Sequence, residues 1–325
     1  MSRKPLLYVA GVLVVVAAGI GILQANKSTA TKDPRIGQPV LSSGLIVNAN
    51  KISISSQSQS FTMAKGANGI WEFPDSQPFV VDAGEIQQLL TGLHDNKIVR
   101  VITKTKDNFA DFGLTDAVRV SVSDGQNEVT VVRGSAREQG QGQYIAFNNE
   151  EIGYVTDTSL YIQTNQTDWE SKSILDWKTD EVTNLVFSTP APAAFTATKI
   201  DGQWKSDDAQ IDVEAIEQTV GTFAGLSYTE RTPLPAPDQR GELKRMIQLG
   251  NANQTLVKFE FYEKTDGQEQ TTNYVAVSVT SPNGELQRLQ QIGASWLLVV
   301  PSYLLSSLER EPTSFIKPPA VGPAE

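Results

Sequence analysis

Hydrophobic and polar positions alternate in three different ways along the chain. From Leu6 to Leu23 the residues LLYVAGVLVVVAAGIGIL form an apolar run without a charge, preceded by Arg3 and Lys4. At about 1.5 Å per residue such a run predicts a helix roughly 27 Å long, enough for a hydrocarbon core. It exceeds the usual apolar region of about 7 to 15 residues in a cleaved signal, and the bulky Leu23 sits where a signal cleaved after Ala25 prefers a small residue. Residues 1–27 are therefore expected to be a cytoplasmic stub and transmembrane anchor. Arg3 and Lys4 keep the N-terminus cytoplasmic and place the bulk of the chain in the periplasm of a bacterial inner membrane. Residues 28–44, polar and broken by Pro34 and Pro39, read as a flexible linker, and residues 311–325, with four prolines, as a disordered tail.

Between these ends the pattern repeats. Phe61-Thr-Met-Ala-Lys65 is echoed by Phe195-Thr-Ala-Thr-Lys199, and Gly69-Ile-Trp71 by Gly202-Gln-Trp204. Asp82 precedes Ile86, Leu89, Leu90 and Leu93, spaced to occupy one helical face; Asp212 precedes Ile216, Thr219, Val220 and Phe223 at the same offsets. Both aspartates stand where an N-cap carboxylate would accept the first free helix N–H groups. Lys51-Ile-Ser-Ile54 matches Asn184-Leu-Val-Phe187 further upstream.

Each copy reads as two strands, a Trp-bearing strand, an amphipathic helix and four further strands. In the first copy these four are 117–122, 128–132, 143–147 and 153–155; in the second, 244–249, 255–262, 273–279 and 296–300. Turn signals at Asp124-Gly125, Asp266-Gly267 and Pro282-Asn-Gly284 predict antiparallel hairpins. The expected fold class is α+β: an N-terminal transmembrane helix, then two tandem repeats, 45–178 and 179–310, each a mostly antiparallel sheet with an amphipathic helix.

Composition narrows the chemistry. The 325 residues include no Cys and one His, which excludes disulfides, thiolate metal sites, a Cys nucleophile and His-rich metal clusters. The formal charge is −10. Setting aside Arg3, Lys4 and Lys27 leaves 24 basic against 37 acidic residues, −13, which argues against nucleic acid as a partner.

The individual candidates read as structural. His94, at the end of the first amphipathic helix, suits a helix C-terminus and lacks an assembled triad. Asp107 with Asp111, and Asn148-Asn-Glu-Glu151, lack the spacing of a calcium loop and fit solvated turns. Ser42-Ser43-Gly44 and Gly134-Ser135 lack a hydrolase elbow, and Gly140-Gln-Gly142 lacks the helix and Lys of a nucleotide loop. No catalytic, cofactor or metal residue is assigned. Trp71 and Trp204 recur at matching positions, as core residues would, whereas Trp169 and Trp177 flank the junction and are expected to pack the copies together.

The order Trp71-Glu-Phe-Pro74, amphipathic helix, then Asp111-Phe-Gly-Leu-Thr115 leading into a strand resembles the family catalogued as domain of unknown function 4340 over about residues 45 to 310. Phe112 stands where that family has Tyr in a Tyr-Gly-Leu-Asp-x-Pro turn, and Thr115-Asp116-Ala117 lacks its Pro. The resemblance implies an exported, membrane-anchored component working beside an ABC-type transport system of the gliding-motility type. The expected function is thus a non-enzymatic extracytoplasmic accessory protein. It would touch the inner membrane through residues 6–23 and an ABC permease and ATPase complex, or other envelope proteins, and use no cofactor. The alternative is a periplasmic ligand-binding receptor with its site between the repeats; an envelope hydrolase using carboxylates ranks third.

Overall fold

A computed structural model of the chain describes residues 33–317 except 77, 138–140, 191–193, 208–209 and 266–270. Strands β1 (Lys51–Ser55), β2 (Ser60–Lys65), β3 (Trp71–Glu72), β4 (Ile98–Thr103), β5 (Val118–Ser123), β6 (Glu128–Ala136), β7 (Gln143–Phe147) and β8 (Gly153–Thr156) form one sheet, in the order β3-β2-β1-β5-β6-β7-β8-β4. Strands β9 (Val182–Ser188), β10 (Ala194–Ile200), β11 (Gln203–Lys205), β12 (Glu230–Pro233), β13 (Glu242–Asn251), β14 (Leu256–Thr265), β15 (Thr271–Thr280) and β16 (Trp296–Val299) form the second, β11-β10-β9-β13-β14-β15-β16-β12. The two orders are identical after a shift of eight strands. By its contacts the described chain divides into two compact units, residues 33–64 with 84–168 and residues 65–83 with 169–317.

Period-2 alternation sets the buried face of each sheet. Ile52 and Ile54 of β1 lie opposite Met63 and Phe61 of β2 on one side and Val122 and Val120 of β5 on the other, and all are buried. In the second sheet Phe187 faces Phe195 and Ile247, and Ile247 faces Phe259. The helix Ala83–Asp95 buries Ile86, Leu89, Leu90 and Leu93, and the helix Val213–Ala224 buries Ile216, Thr219, Val220 and Phe223, the faces the spacing predicts. The Asp212 carboxylate caps the latter, accepting from the Ala215 N–H at 3.2 Å. Phe315, in the turn Pro312–Phe315, is fully buried and stacks on Phe195 with ring centres 4.8 Å apart.

The expected α+β class is overturned: antiparallel sheet dominates the described residues, and each sheet has eight strands. No helix among the described residues is long and apolar enough to cross a membrane, and Leu6–Leu23 lie outside the described residues. The extra strands are β4 and β12, each following its amphipathic helix at a sheet edge. β4 reads Ile-Val-Arg-Val-Ile-Thr, a β-branched run whose burial does not alternate, whereas β12 reads Glu-Arg-Thr-Pro and carries no strand signature. A further helix, Gln287–Ser295, has no counterpart in the first copy. The Asp266-Gly267 turn lies outside the described residues, and so does Gly140.

Candidate functional site

Each unit gathers charged and aromatic side chains at one place. In the first, the Arg35 guanidinium lies 3.9 Å from the centre of the Phe147 ring and pairs with Glu150. Beside it the Tyr154 hydroxyl donates to Asp33 at 3.2 Å. Burial, and then the negative charges of Asp33 and Glu150, push the Tyr154 phenol up to about 12. Arg35 and Glu150 are about one third exposed, so solvent screens the pair.

The cluster of the second unit is enclosed. The Glu170 side chain has no exposed surface and receives a two-pronged bond from Arg231, Nη2 to Oε1 at 2.7 Å and Nε to Oε2 at 3.1 Å. The Lys172 ammonium is 3.8 Å from the same carboxylate, and the Tyr228 hydroxyl donates to it at 3.3 Å. Arg231 nests in the angle between the rings of Phe79 and Trp296, 4.0 and 4.2 Å from their centres. A buried carboxylate is tolerated only when its lone pairs are met, and here two cations and a phenol meet them. Burial, reinforced by the charge of Glu170, pushes the Tyr228 phenol up, so it stays protonated at neutral pH. The arrangement locks residues 79, 170–172, 228–231 and 296 together.

The residues singled out from the sequence fall elsewhere. A ring nitrogen of His94 meets the Leu41 carbonyl oxygen at 3.2 Å. Asp107 and Asp111 are exposed on successive short turns, Lys106–Asn108 and Ala110–Phe112. Within Asn148-Asn-Glu-Glu151, Glu150 is the partner of Arg35, and Asn149 takes the left-handed conformation, φ 65°. Among the described residues no three His, Cys, Asp or Glu side chains converge as a metal site. Trp71 and Trp204 are buried. Trp169 is buried in the second unit, where its carbonyl accepts from the Asp82 N–H, while Trp177 is half-buried and its N–H donates to the Ala224 carbonyl. No sequence signal marks Glu170 as the centre of a cluster, because its partners Tyr228 and Arg231 lie 58 and 61 positions away at no regular spacing.

The Asp111-Phe-Gly-Leu-Thr115 turn builds the other feature of the first unit. Leu114 and Ala117 press onto Val132 and Ala146 on the outer face of the sheet, with Ile102, Phe109 and Phe112 around them. Gly113 adopts φ 65° and faces Ser135, and Gly134 passes so close to the Phe112 carbonyl that a Cβ there would overlap it. Beside the turn lies an open groove of about 290 Å³, walled by Phe109, Leu114 and Phe147 and rimmed by Lys106, Arg119 and Glu150.

Fold and turn together define a tandem antiparallel-sheet protein whose first copy carries a glycine-dependent turn on its outer face. The chain belongs to the family described as Domain of unknown function (DUF4340), whose model matches residues 71–241. That match runs from the Trp71 strand through the turn to Gly241. No curated protein and no solved structure matches the chain.

Proposed function

We propose that this protein is a non-enzymatic extracytoplasmic accessory component of an ABC-type transport system, associated with the bacterial inner membrane through residues 6–23. The observation that carries the reading is membership of the family over residues 71–241, joined to the transport association that the resemblance implies. The uncharged run from Leu6 to Leu23 behind Arg3 and Lys4 supports the location. The Glu170 cluster supports the non-enzymatic part, since Arg231, Lys172 and Tyr228 all turn to one buried carboxylate whose side chain has no exposed surface for a substrate to reach.

The test is affinity purification of the full chain from crosslinked native membranes. Recovery of an ATPase and a permease is the expected result. Recovery of the chain from the soluble fraction, or from membranes without transporter subunits, would overturn the reading.

A further inference from the structure

The strands that end the two sheets differ in what they leave open. β3 has two residues and β11 three, and β12 has four and ends in Pro233, which has no N–H to offer a neighbour. β4, which holds the place of β12 in the first sheet, has six residues and no proline. β8 pairs with one side of it. On the other side Ile98 exchanges backbone bonds with residues 37 and 38: the Gly37 N–H donates to the Ile98 carbonyl at 2.7 Å, and the Ile98 N–H to the Gln38 carbonyl at 2.9 Å. That contact stops at Ile98. Among the described residues no backbone hydrogen bond reaches residues 99–103 from the side away from β8, and Val99 is 48% exposed.

The charge along this edge has one sign. Residues 97–106 carry Lys97, Arg100, Lys104 and Lys106 and no acid, in a chain whose formal charge is −10. All four cations are exposed, and among the described residues none of them forms an ion pair. The matching edge of the second sheet has no such charge to offer, because Arg231 of β12 is bound to Glu170. A second copy of β4 laid along the first would set cations beside cations, so the edge selects against itself and for a strand of opposite charge. The pairing with β8 shifts register between residues 98 and 100 and again between 101 and 103. Such shifts bend a strand, so the open edge suits a short partner segment.

We propose that β4 is a docking edge for a short extended segment of a partner protein in which carboxylates alternate with β-branched apolar residues. The segment adds to the sheet as a further strand. Its backbone N–H and C=O groups meet those of residues 99–103, which supplies affinity, and its carboxylates meet Arg100 and Lys104, which supplies the choice of partner. Its β-branched residues lie beside Val99 and Val101, the neighbours such side chains favour across a strand pair. This inference stands apart from the transport reading, and either can fail without the other.

The probe is the peptide acetyl-Glu-Val-Glu-Val-Glu-Val-amide, fluorescently labelled and titrated by anisotropy against the full chain in neutral detergent, with acetyl-Lys-Val-Lys-Val-Lys-Val-amide as comparator. Peptide-level hydrogen exchange locates the contact. Saturable binding of the acidic peptide about tenfold tighter than that of the basic one is expected, with exchange slowed over residues 98–104 and unchanged over 230–233. Arg100→Glu combined with Lys104→Glu should weaken the acidic peptide about tenfold, since two exposed attractions become repulsions. Should that double variant fail to fold, salt serves in its place: raising NaCl from about 0.05 to about 0.5 M should weaken the native complex several-fold by screening the same charges. No saturable binding of the acidic peptide, equal binding of the basic one, or affinity indifferent to both the double variant and salt would each sink the proposal. So would protection that falls on residues 109–119 instead of the edge, or protection of 98–104 that grows with protein concentration in the absence of peptide, which would make a second copy the occupant.

Discussion

The outer faces of the two sheets show how one topology accommodates opposite chemistries. Register alignment of β6 with β14 places Val132 opposite Arg119 where Glu260 lies opposite Met246, so Val132 corresponds to Glu260 and Gly134 to Tyr262. In the first unit Val132 is buried under Leu114, and Gly134 leaves room for the Phe112 carbonyl. In the second, Glu260 accepts from Lys258 at 2.6 Å and from Tyr262 at 2.9 Å, forming a partly exposed polar row. A tyrosine at the position of Gly134 is incompatible with a turn pressed against the strand. The second copy has Pro233-Leu-Pro-Ala-Pro237 where the first has the family turn, and Tyr262 supplies a steric reason why the turn could not lie there unchanged.

The largest effect is expected from importing that residue. Gly134→Tyr should drive the 109–115 turn off the sheet and destabilise the first unit by about 3 kcal/mol or more, since a backbone oxygen cannot yield as a flexible side chain can. Four of the five tryptophans lie in the stretch from residue 169 onward and only Trp71, in the edge strand β3, belongs to the first sheet, so fluorescence reports chiefly on the second unit and peptide-level hydrogen exchange is needed for the first. Faster exchange over β5 to β7 with unchanged fluorescence unfolding is the expected pair of results; native exchange over residues 109–115 would refute the steric argument. Leu114→Ala comes next. Leu114 is 2% exposed, and truncating it should cost the same unit about 3 kcal/mol through lost burial and a residual cavity. A loss below 1 kcal/mol would mean that the turn rests on the sheet without holding it.

The reciprocal change in the second unit should matter less. Tyr262→Gly removes one hydrogen bond to Glu260 and puts glycine in a strand, for about 1.5 kcal/mol by urea unfolding followed by tryptophan fluorescence. A loss equal to that of Gly134→Tyr would erase the proposed asymmetry between enclosed and open faces.

How much of this was readable beforehand depends on the range of the interaction that decided each element. Alternation at Ile52, Ile54, Phe61 and Met63, and the four-residue faces of both amphipathic helices, are local signals, and the structure follows them. β12 was illegible because its Glu-Arg-Thr-Pro has no strand composition, whereas β4 carries a strand signal in its β-branched run Ile98–Thr103, obscured because that run does not alternate; both pair as edge strands, with β16 and β8. The 287–295 helix was masked by its low apolar content, with only Leu289 and Ile292 buried. At the sites the limit was sharper. Family likeness pointed to the Asp111–Thr115 turn, but the Glu170 cluster is defined by partners that only the fold brings together.

The smallest predicted effect concerns Glu260, whose environment sets two influences against each other. Burial opposes its charged form, yet hydrogen bonds from Lys258 and Tyr262 outweigh burial and hold the carboxyl below its ordinary value of 4.5. A carboxyl lowered on folding stabilises the native state at pH values above the unfolded value. That contribution is lost as pH falls from about 4.5 through the lower folded value, because protons then bind the unfolded chain first. Since the row is partly exposed, solvent limits the contribution to about 1 kcal/mol or less. The urea midpoint of the native chain should therefore exceed that of Glu260→Gln at pH 6, and the gap should narrow between pH 4.5 and 3. In the first unit Val132 occupies the equivalent position and carries nothing to titrate, so hydrogen exchange there should respond to this pH interval independently of residue 260. A gap that widens on acidification would mean that burial, not the hydrogen-bonded row, governs Glu260, and the outer face of the second sheet would then be as closed as that of the first.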